Sequence, residues 1–245
     1  MPNEFAALFA APVPTAERPL SGITILLVED SRFASEAVRL LCLRSGARIR
    51  RADSLRHAER HLATYRPTVA LIDLGLPDGS GLDLIARLAS ATPRLPAILA
   101  TSGEEGQREA ALAAGADGFL AKPCMSLGEF QAAVLSALRL DSAALRLRLL
   151  PGERVAPDRL AYRDDLAGVS ELLTDEAEPG TVAYAARFLA GVARSADDPP
   201  LAEAADTLCD RVATGRPTGM LLAELAGLVD ERLKGGGPEG GRRFA

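Results

Sequence analysis

The sequence predicts an α/β domain built as a doubly wound, five-stranded parallel sheet, followed by an all-α region of four helices. Two observations predict it. From Ile23 to about Leu140, short aliphatic or β-branched runs alternate with helix-length stretches, the pattern of right-handed βαβ crossovers that cover a parallel sheet on both faces. After Leu140 the strand texture stops, and residues 149–158, "LLPGERVAPD", carry two prolines and a glycine that mark a linker.

In chain order, "ITILLV" (23–28), "ARIRRA" (47–52), "TVALID" (68–73), "PAILAT" (96–101) and "GFLAK" (118–122) read as strands. Helices are expected at about 32–45, 54–64, 81–90, 104–114 and 126–139. Gly46 and Gly115 follow two of them, where a left-handed C-terminal cap favours glycine. Beyond the linker, helices are expected near 158–174, 180–195, 200–213 and 218–234. Three carry one apolar stripe each: Tyr162, Leu166, Val169 and Leu173; Leu201, Ala205, Leu208 and Val212; Leu222, Leu225 and Val229. The turns "DDPP" (197–200) and "TGRPTG" (214–219) are short, so successive helices should be antiparallel neighbours in a bundle. The expected organisation is a tail at 1–21, an α/β domain at 22–140, a linker at 141–157, a helical domain at 158–234 and a disordered tail at 235–245. Within the first tail, "EFAALFA" (4–10) suggests a short helix.

Composition narrows the function classes. With 48% apolar residues, no Trp and 4% aromatics, the interior must be assembled from Leu, Ala, Val and Ile, and two cores of ordinary size fit in 245 residues. Cys42, Cys124 and Cys209 lie far apart with no metal-type spacing, so they read as small buried hydrophobes in a reducing cytoplasm. No Lys or Arg precedes Arg18 and no long uncharged apolar run occurs, so neither a signal peptide nor a membrane span is expected. Residues 1–140 carry 15 basic and 15 acidic side chains, whereas residues 141–245 carry 13 and 18. An acidic second half weighs against nucleic acid as a partner, because phosphate contacts want a basic face.

The chemistry-bearing residues gather at the carboxyl ends of the expected strands, where ligands sit in doubly wound sheets. The first strand ends in Glu29 and Asp30, the third in Asp73, the fourth in Thr101 and Ser102, and the fifth in Lys122 before Pro123. Three carboxylates in one cleft repel one another unless a cation offsets them, and a hard divalent ion such as Mg²⁺ accepts oxygen ligands while leaving room for phosphate oxygens. Asp73, central in the set, can then act as a carboxylate nucleophile toward phosphorus, with the Lys122 ammonium and Thr101 hydroxyl on the transferring oxygens.

This constellation resembles the receiver domain of two-component response regulators over about residues 22–140, with every catalytic position of the family filled. The resemblance implies a flavodoxin-like (βα)5 fold, Asp73 as phosphoacceptor, and Glu29 and Asp30 as the acidic pair. It also implies Mg²⁺ held by Asp30, Asp73 and the Gly75 backbone carbonyl, with Glu29 acting through water. Phosphate contacts fall to Thr101, Ser102 and Lys122, and the conformational switch to Thr101 and Phe119. Gly75 and Gly103, two residues beyond Asp73 and Thr101, supply no side chain that could position or hinder an attacking water. His57 and His61, four apart on the second helix, have no third ligand nearby and read as a solvated face.

After residue 141 there is no His, no Gly-rich phosphate loop and no metal spacing, so a catalytic output is not expected. Residues around 186–233 are similar in texture to histidine phosphotransfer domains. Aligning Gly191 with that family's glycine puts Arg187 where its phosphorylated His stands and Ala190 where its Lys stands, so phosphate-accepting chemistry is absent. An unrelated bundle with Arg187 as a surface charge is the other reading.

The sequence therefore leads to a cytoplasmic, phosphorylation-gated response regulator, not an enzyme beyond its own phosphorylation and dephosphorylation. Its expected partners are a histidine kinase or phosphotransfer protein, a downstream protein, and a second copy pairing through the face of the fourth helix, fifth strand and fifth helix. A transcriptional regulator with an atypical DNA-binding bundle is the alternative.

Overall fold

A computed structural model describes residues 13–104, 106–140, 153–174 and 177–235. The expected helix at 4–10, most of the linker and most of the final tail lie outside the described residues. The sheet consists of β1 (Thr24–Val28), β2 (Arg48–Ala52), β3 (Val69–Asp73), β4 (Ala97–Ser102) and β5 (Gly118–Ala121). All five are parallel, in the order β2-β1-β3-β4-β5. Strand order reverses beside β1, so the acids ending β1 and β3 lie at the switch point of a doubly wound sheet. A minimal antiparallel hairpin, Gly75–Leu76 with Gly79–Ser80, follows β3. The central strands β3 and β4 are buried along their whole length, as apolar runs in a doubly covered parallel sheet must be. Edge strand β2 instead exposes Arg48, Arg50 and Arg51.

Helices α1 (Arg32–Ser45) and α5 (Leu127–Ala137) cover one face of the sheet. The other face carries α2 (Leu55–Thr64), α3 (Gly81–Ser90) and α4 (Gln107–Ala113). Ser31, Ser54, Ser80 and Ser126 each accept a backbone N–H in the first turn of their helix, which explains where α1, α2, α3 and α5 begin. Gly46 at φ 81° and Gly115 at φ 104° take the left-handed conformations expected of them.

The C-terminal region is all-helical: α6 (Arg159–Ser170), α7 (Pro179–Ser195), α8 (Pro199–Ala213) and α9 (Gly219–Gly235). The stripes read from the sequence form its core, with Tyr162, Leu166, Leu201, Ala205, Leu208, Leu222, Leu225 and Val229 all buried. That core is continuous with the α1 and α5 side of the first domain. The bundle leans on α1, on the Gly75–Leu76 strand and on the loop at Gly103. Residues returning from the linker pair backbone to backbone with the β5–α5 loop, Val155 N–H on the Met125 carbonyl and Leu127 N–H on the Glu153 carbonyl.

Candidate functional site

Each site residue is placed by a strand end. The register puts Asp73 opposite Thr101 across β3 and β4, and Thr101 opposite Leu120 on β5. Lys122, just beyond β5, is held by its N–H on the Ser102 carbonyl. Its ammonium reaches 2.7 Å from Glu29 Oε2 and 3.1 Å from Asp73 Oδ2. Glu29, Asp30 and Asp73 each offer a carboxylate oxygen within 4.8 Å of the others. Glu29 and Asp73 are buried, and Asp30 is half-buried.

The chain folds tightly beneath Asp73. Gly81 opens α3 so close to β3 that a Cβ there would lie 2.0 Å from the Asp73 carbonyl oxygen, a distance no side chain tolerates. This glycine lets α3 start directly behind the strand end while the hairpin turns the chain outward. Around Gly75, by contrast, a Cβ would meet nothing within 4 Å.

Three acids face one lysine in a buried pocket, and the electrostatics follow. Burial pushes the Glu29 carboxyl up to about 8; Lys122 pulls it down, while Asp73 and Asp30 add to the rise. Burial also raises Asp30, to about 6, with the Tyr184 hydroxyl working in the opposite direction. Burial disfavours the Lys122 ammonium, but Asp73 and Glu29 outweigh it and hold its pKa above the ordinary lysine range. An excess of buried carboxylate with oxygens this close suits a hard divalent cation, so the donor set fits the Mg²⁺ that the sequence implied.

The structure brings Glu29, Asp30, Asp73, Gly75, Ser102 and Lys122 to the wall of one cleft of about 1050 Å³. Ser102 also accepts the Glu104 N–H on its hydroxyl. Thr101 is buried beside Asp73, its register partner across β3 and β4. Phe119 is buried in the core layer under α4, with the Arg108 guanidinium 5.2 Å above its ring. The inward swing that the resemblance implies therefore starts from a ring that is already covered. His57 contacts Asp53, whereas His61 Nε2 lies 3.2 Å from the Arg51 carbonyl, so the two histidines share no ligand geometry.

The far wall of the cleft was missing from the sequence reading. It is α7, which contributes Tyr184, Arg187, Phe188, Gly191 and Arg194. Their offsets of 3, 4, 7 and 10 from Tyr184 follow helical periodicity, a signal present in the sequence. Tyr184 donates its hydroxyl to Asp30 Oδ2 at 2.6 Å. Asp165 on α6 was also missed; it accepts from the Ser31 hydroxyl and from the Arg32 and Phe33 N–H groups at 2.8–3.0 Å, capping α1 from the other domain.

Residues 25–135 match the family model of the response regulator receiver domain. This part of the chain is such a domain, with the flavodoxin-like fold described above. Among curated relatives, the KDP operon transcriptional regulatory protein KdpE of Escherichia coli (strain K12) is 39% identical over 144 residues, 58% of this chain and 58% of KdpE. The virulence transcriptional regulatory protein PhoP of Salmonella typhimurium (strain 14028s / SGSC 2262) is 33% identical over 119 residues, 48% of this chain and 53% of PhoP. The chain thus spans little more than half the length of these relatives. A solved structure, the receiver domain of sensor histidine kinase PA1611 from Pseudomonas aeruginosa PAO1 with magnesium ion coordinated in the active site cleft, aligns at 27% identity and a TM-score of 0.43. It covers 49% of this chain and 99% of that one. Among the described residues no helix is long and apolar enough to cross a membrane.

Proposed function

We propose that the protein is a cytoplasmic response regulator of a two-component phosphorelay, accepting a phosphoryl group on Asp73 from a histidine kinase or phosphotransfer protein. The supporting observation is the convergence of Glu29, Asp30 and Asp73 with Lys122 at the carboxyl ends of three strands. Asp30, Asp73 and the Gly75 carbonyl, with Glu29 behind them, would hold Mg²⁺; when bound, it offsets the carboxylate charge and that of the incoming phosphoryl oxygens. The Asp73 carboxylate attacks phosphorus, the bond from phosphorus to the donor imidazole breaks, and the imidazole leaves with the electron pair. The Lys122 ammonium pairs with the transferring oxygens, and the Thr101 and Ser102 hydroxyls donate to them as Thr101 moves toward the phosphate. Its chemistry ends with its own phosphorylation and dephosphorylation, and the bundle carries the state to a downstream protein. A second copy would pair through the face of α4, β5 and α5, since the bundle rests chiefly on α1. The test is to incubate the full chain with a phosphohistidine protein donor and Mg²⁺ and map the phosphoryl group by mass spectrometry. Label on Asp73 that disappears in Asp73→Asn supports the reading, and label elsewhere, or none from this donor and none from acetyl phosphate, overturns it.

A transcriptional reading is favoured by one surface and by the names of KdpE and PhoP. The expectation that nucleic acid is not a partner rested on net charge, and net charge hides segregation. Arg48, Arg50, Arg51 and Arg60, with His57 and His61, line a groove of about 840 Å³ in which Asp53 is the acidic residue. Such a surface suits a phosphate backbone. Binding to duplex DNA that weakens steeply with salt and is lost in Arg50→Glu/Arg51→Glu would establish it.

A further inference from the structure

The bundle touches the receiver where the chemistry is. Tyr184 holds Asp30, one of the three clustered acids, and α7 forms the wall facing Asp73. The helix comes close enough that a Cβ on Gly103 would stand 3.9 Å from the Gly191 Cα and 3.5 Å from Arg194 Nη1. Arg194 is itself fixed by two bonds to Asp206 at 2.6 and 2.7 Å. A second anchor lies beside the first, where Asp165 caps α1 and the Phe33 and Tyr162 rings meet edge to face at 5.9 Å. Arg187, one turn beyond Tyr184, lines the same cleft. A guanidinium there neither gives nor takes a phosphoryl group.

We propose that the helical bundle is a lid on the phosphoacceptor cleft, latched by Tyr184 on Asp30, which selects phosphodonors by size. This rests on the reading of Asp73 as phosphoacceptor. The cleft of about 1050 Å³ admits a small acyl phosphate: the Asp73 carboxylate forms the new bond to phosphorus, the acyl oxygen–phosphorus bond breaks, and a carboxylate leaves with the electron pair. A protein donor must bring its phosphoimidazole to Asp73 across the surface that α7 covers. It reaches phosphorus only after the bundle swings away, and its imidazole then leaves as the phosphorus–nitrogen bond breaks. The docked bundle thus occupies a donor's place without a donor's chemistry, and a protein donor is admitted only on opening.

Two variants of the full chain test this. Gly103→Cys/Gly191→Cys, made with Cys209→Ser, puts a cysteine on each of two segments that approach to 3.9 Å between a Gly103 Cβ and the Gly191 Cα, and the oxidised form in which mass spectrometry shows the bridge is the locked lid. With Mg²⁺ present, transfer from a phosphorylated histidine phosphotransfer domain, taken relative to acetyl phosphate labelling of Asp73 in the same variant and redox state, should fall at least about tenfold on oxidation and return on reduction. Tyr184→Phe removes a hydrogen bond to a carboxylate, and should raise transfer from the protein donor about tenfold and speed hydrogen exchange along α7. Equal transfer from the protein donor in both redox states overturns the lid. So does a protein donor that fails even with reduced thiols and with Tyr184→Phe while acetyl phosphate succeeds, because the bundle would then not be what excludes it. Failure of both donors in every form overturns the phosphoacceptor reading instead.

Discussion

Two buried carboxylate sites, one in each domain, each set acid against a cation and a tyrosine hydroxyl, and they come out opposite. In the bundle, Asp198 caps α8, accepts the Tyr162 hydroxyl at 2.9 Å, and is gripped by Arg232 through Nε at 3.0 Å and Nη2 at 3.1 Å. Burial works against its ionisation, but Arg232 and Tyr162 outweigh it and hold the carboxyl below the ordinary range. In the receiver, three carboxylates share one lysine, and burial wins at Glu29 and Asp30. One acid matched by one cation and a phenol is a structural clamp. Three acids against one cation leave charge unbalanced in a low-dielectric pocket, which a divalent ion and a phosphoryl group can use. The difference lies in stoichiometry, since both sites are buried and both are hydrogen-bonded.

The comparison breaks most sharply at its two cations. Lys122→Met removes the ammonium that pairs with Glu29 and Asp73 and should abolish phosphoryl transfer to Asp73, measured as label incorporation; a transfer rate within tenfold of the parent would refute the assigned role. Arg232→Met should not touch transfer from acetyl phosphate, yet leaves Asp198 buried with a phenol alone and should cost about 3 kcal/mol in denaturant unfolding. If the two substitutions had the same profile, the clamp and the site would not be distinct.

Acid and base should sharpen the contrast, because the two sites respond in opposite senses. Glu29 and Asp30 titrate above their ordinary values, so with a chelator present they stabilise the fold at low pH and lose that contribution as pH rises through about 6 and on to about 8. Asp198 titrates below its ordinary value, so its contribution is present above that value and is lost as pH falls below about 4. Thermal unfolding from pH 3 to 9 should show both limbs. Glu29→Gln or added Mg²⁺ should flatten the alkaline limb, and Asp198→Asn the acid limb.

Smaller effects remain on each side. Tyr162→Phe deletes one hydrogen bond to the Asp198 carboxylate and should cost about 1.5 kcal/mol, with Arg232 keeping the pair intact. Gly75→Asn enters open space, so it should leave unfolding unchanged while altering phosphoaspartate hydrolysis severalfold; an unchanged hydrolysis rate would count against water access at that position setting the lifetime.

Much of this was legible from the chain alone. Strands and helices fall within a few residues of where periodicity and caps put them, because Ser31, Ser54, Ser80, Ser126 and the glycines at 46 and 115 act locally on their own helices. The acids and Lys122 were legible as a set because a parallel sheet brings every strand's carboxyl end to one rim. Tyr184, Asp165 and the basic groove were not. Tyr184 lies 154 residues from Asp30, and Asp165 lies 134 from Ser31, so no local pattern connects them.

By itself, then, the sequence determined the two textures, the gathering of the strands' carboxyl ends at one rim, and which residue types stand there, since each follows from short-range periodicity and chirality. Only the tertiary structure decided that the bundle rests on α1, that α7 closes the cleft, and that Gly103 lies beneath Gly191. Those depend on how two apolar faces share one continuous core, and burial of apolar surface is non-directional until a particular packing selects the partner.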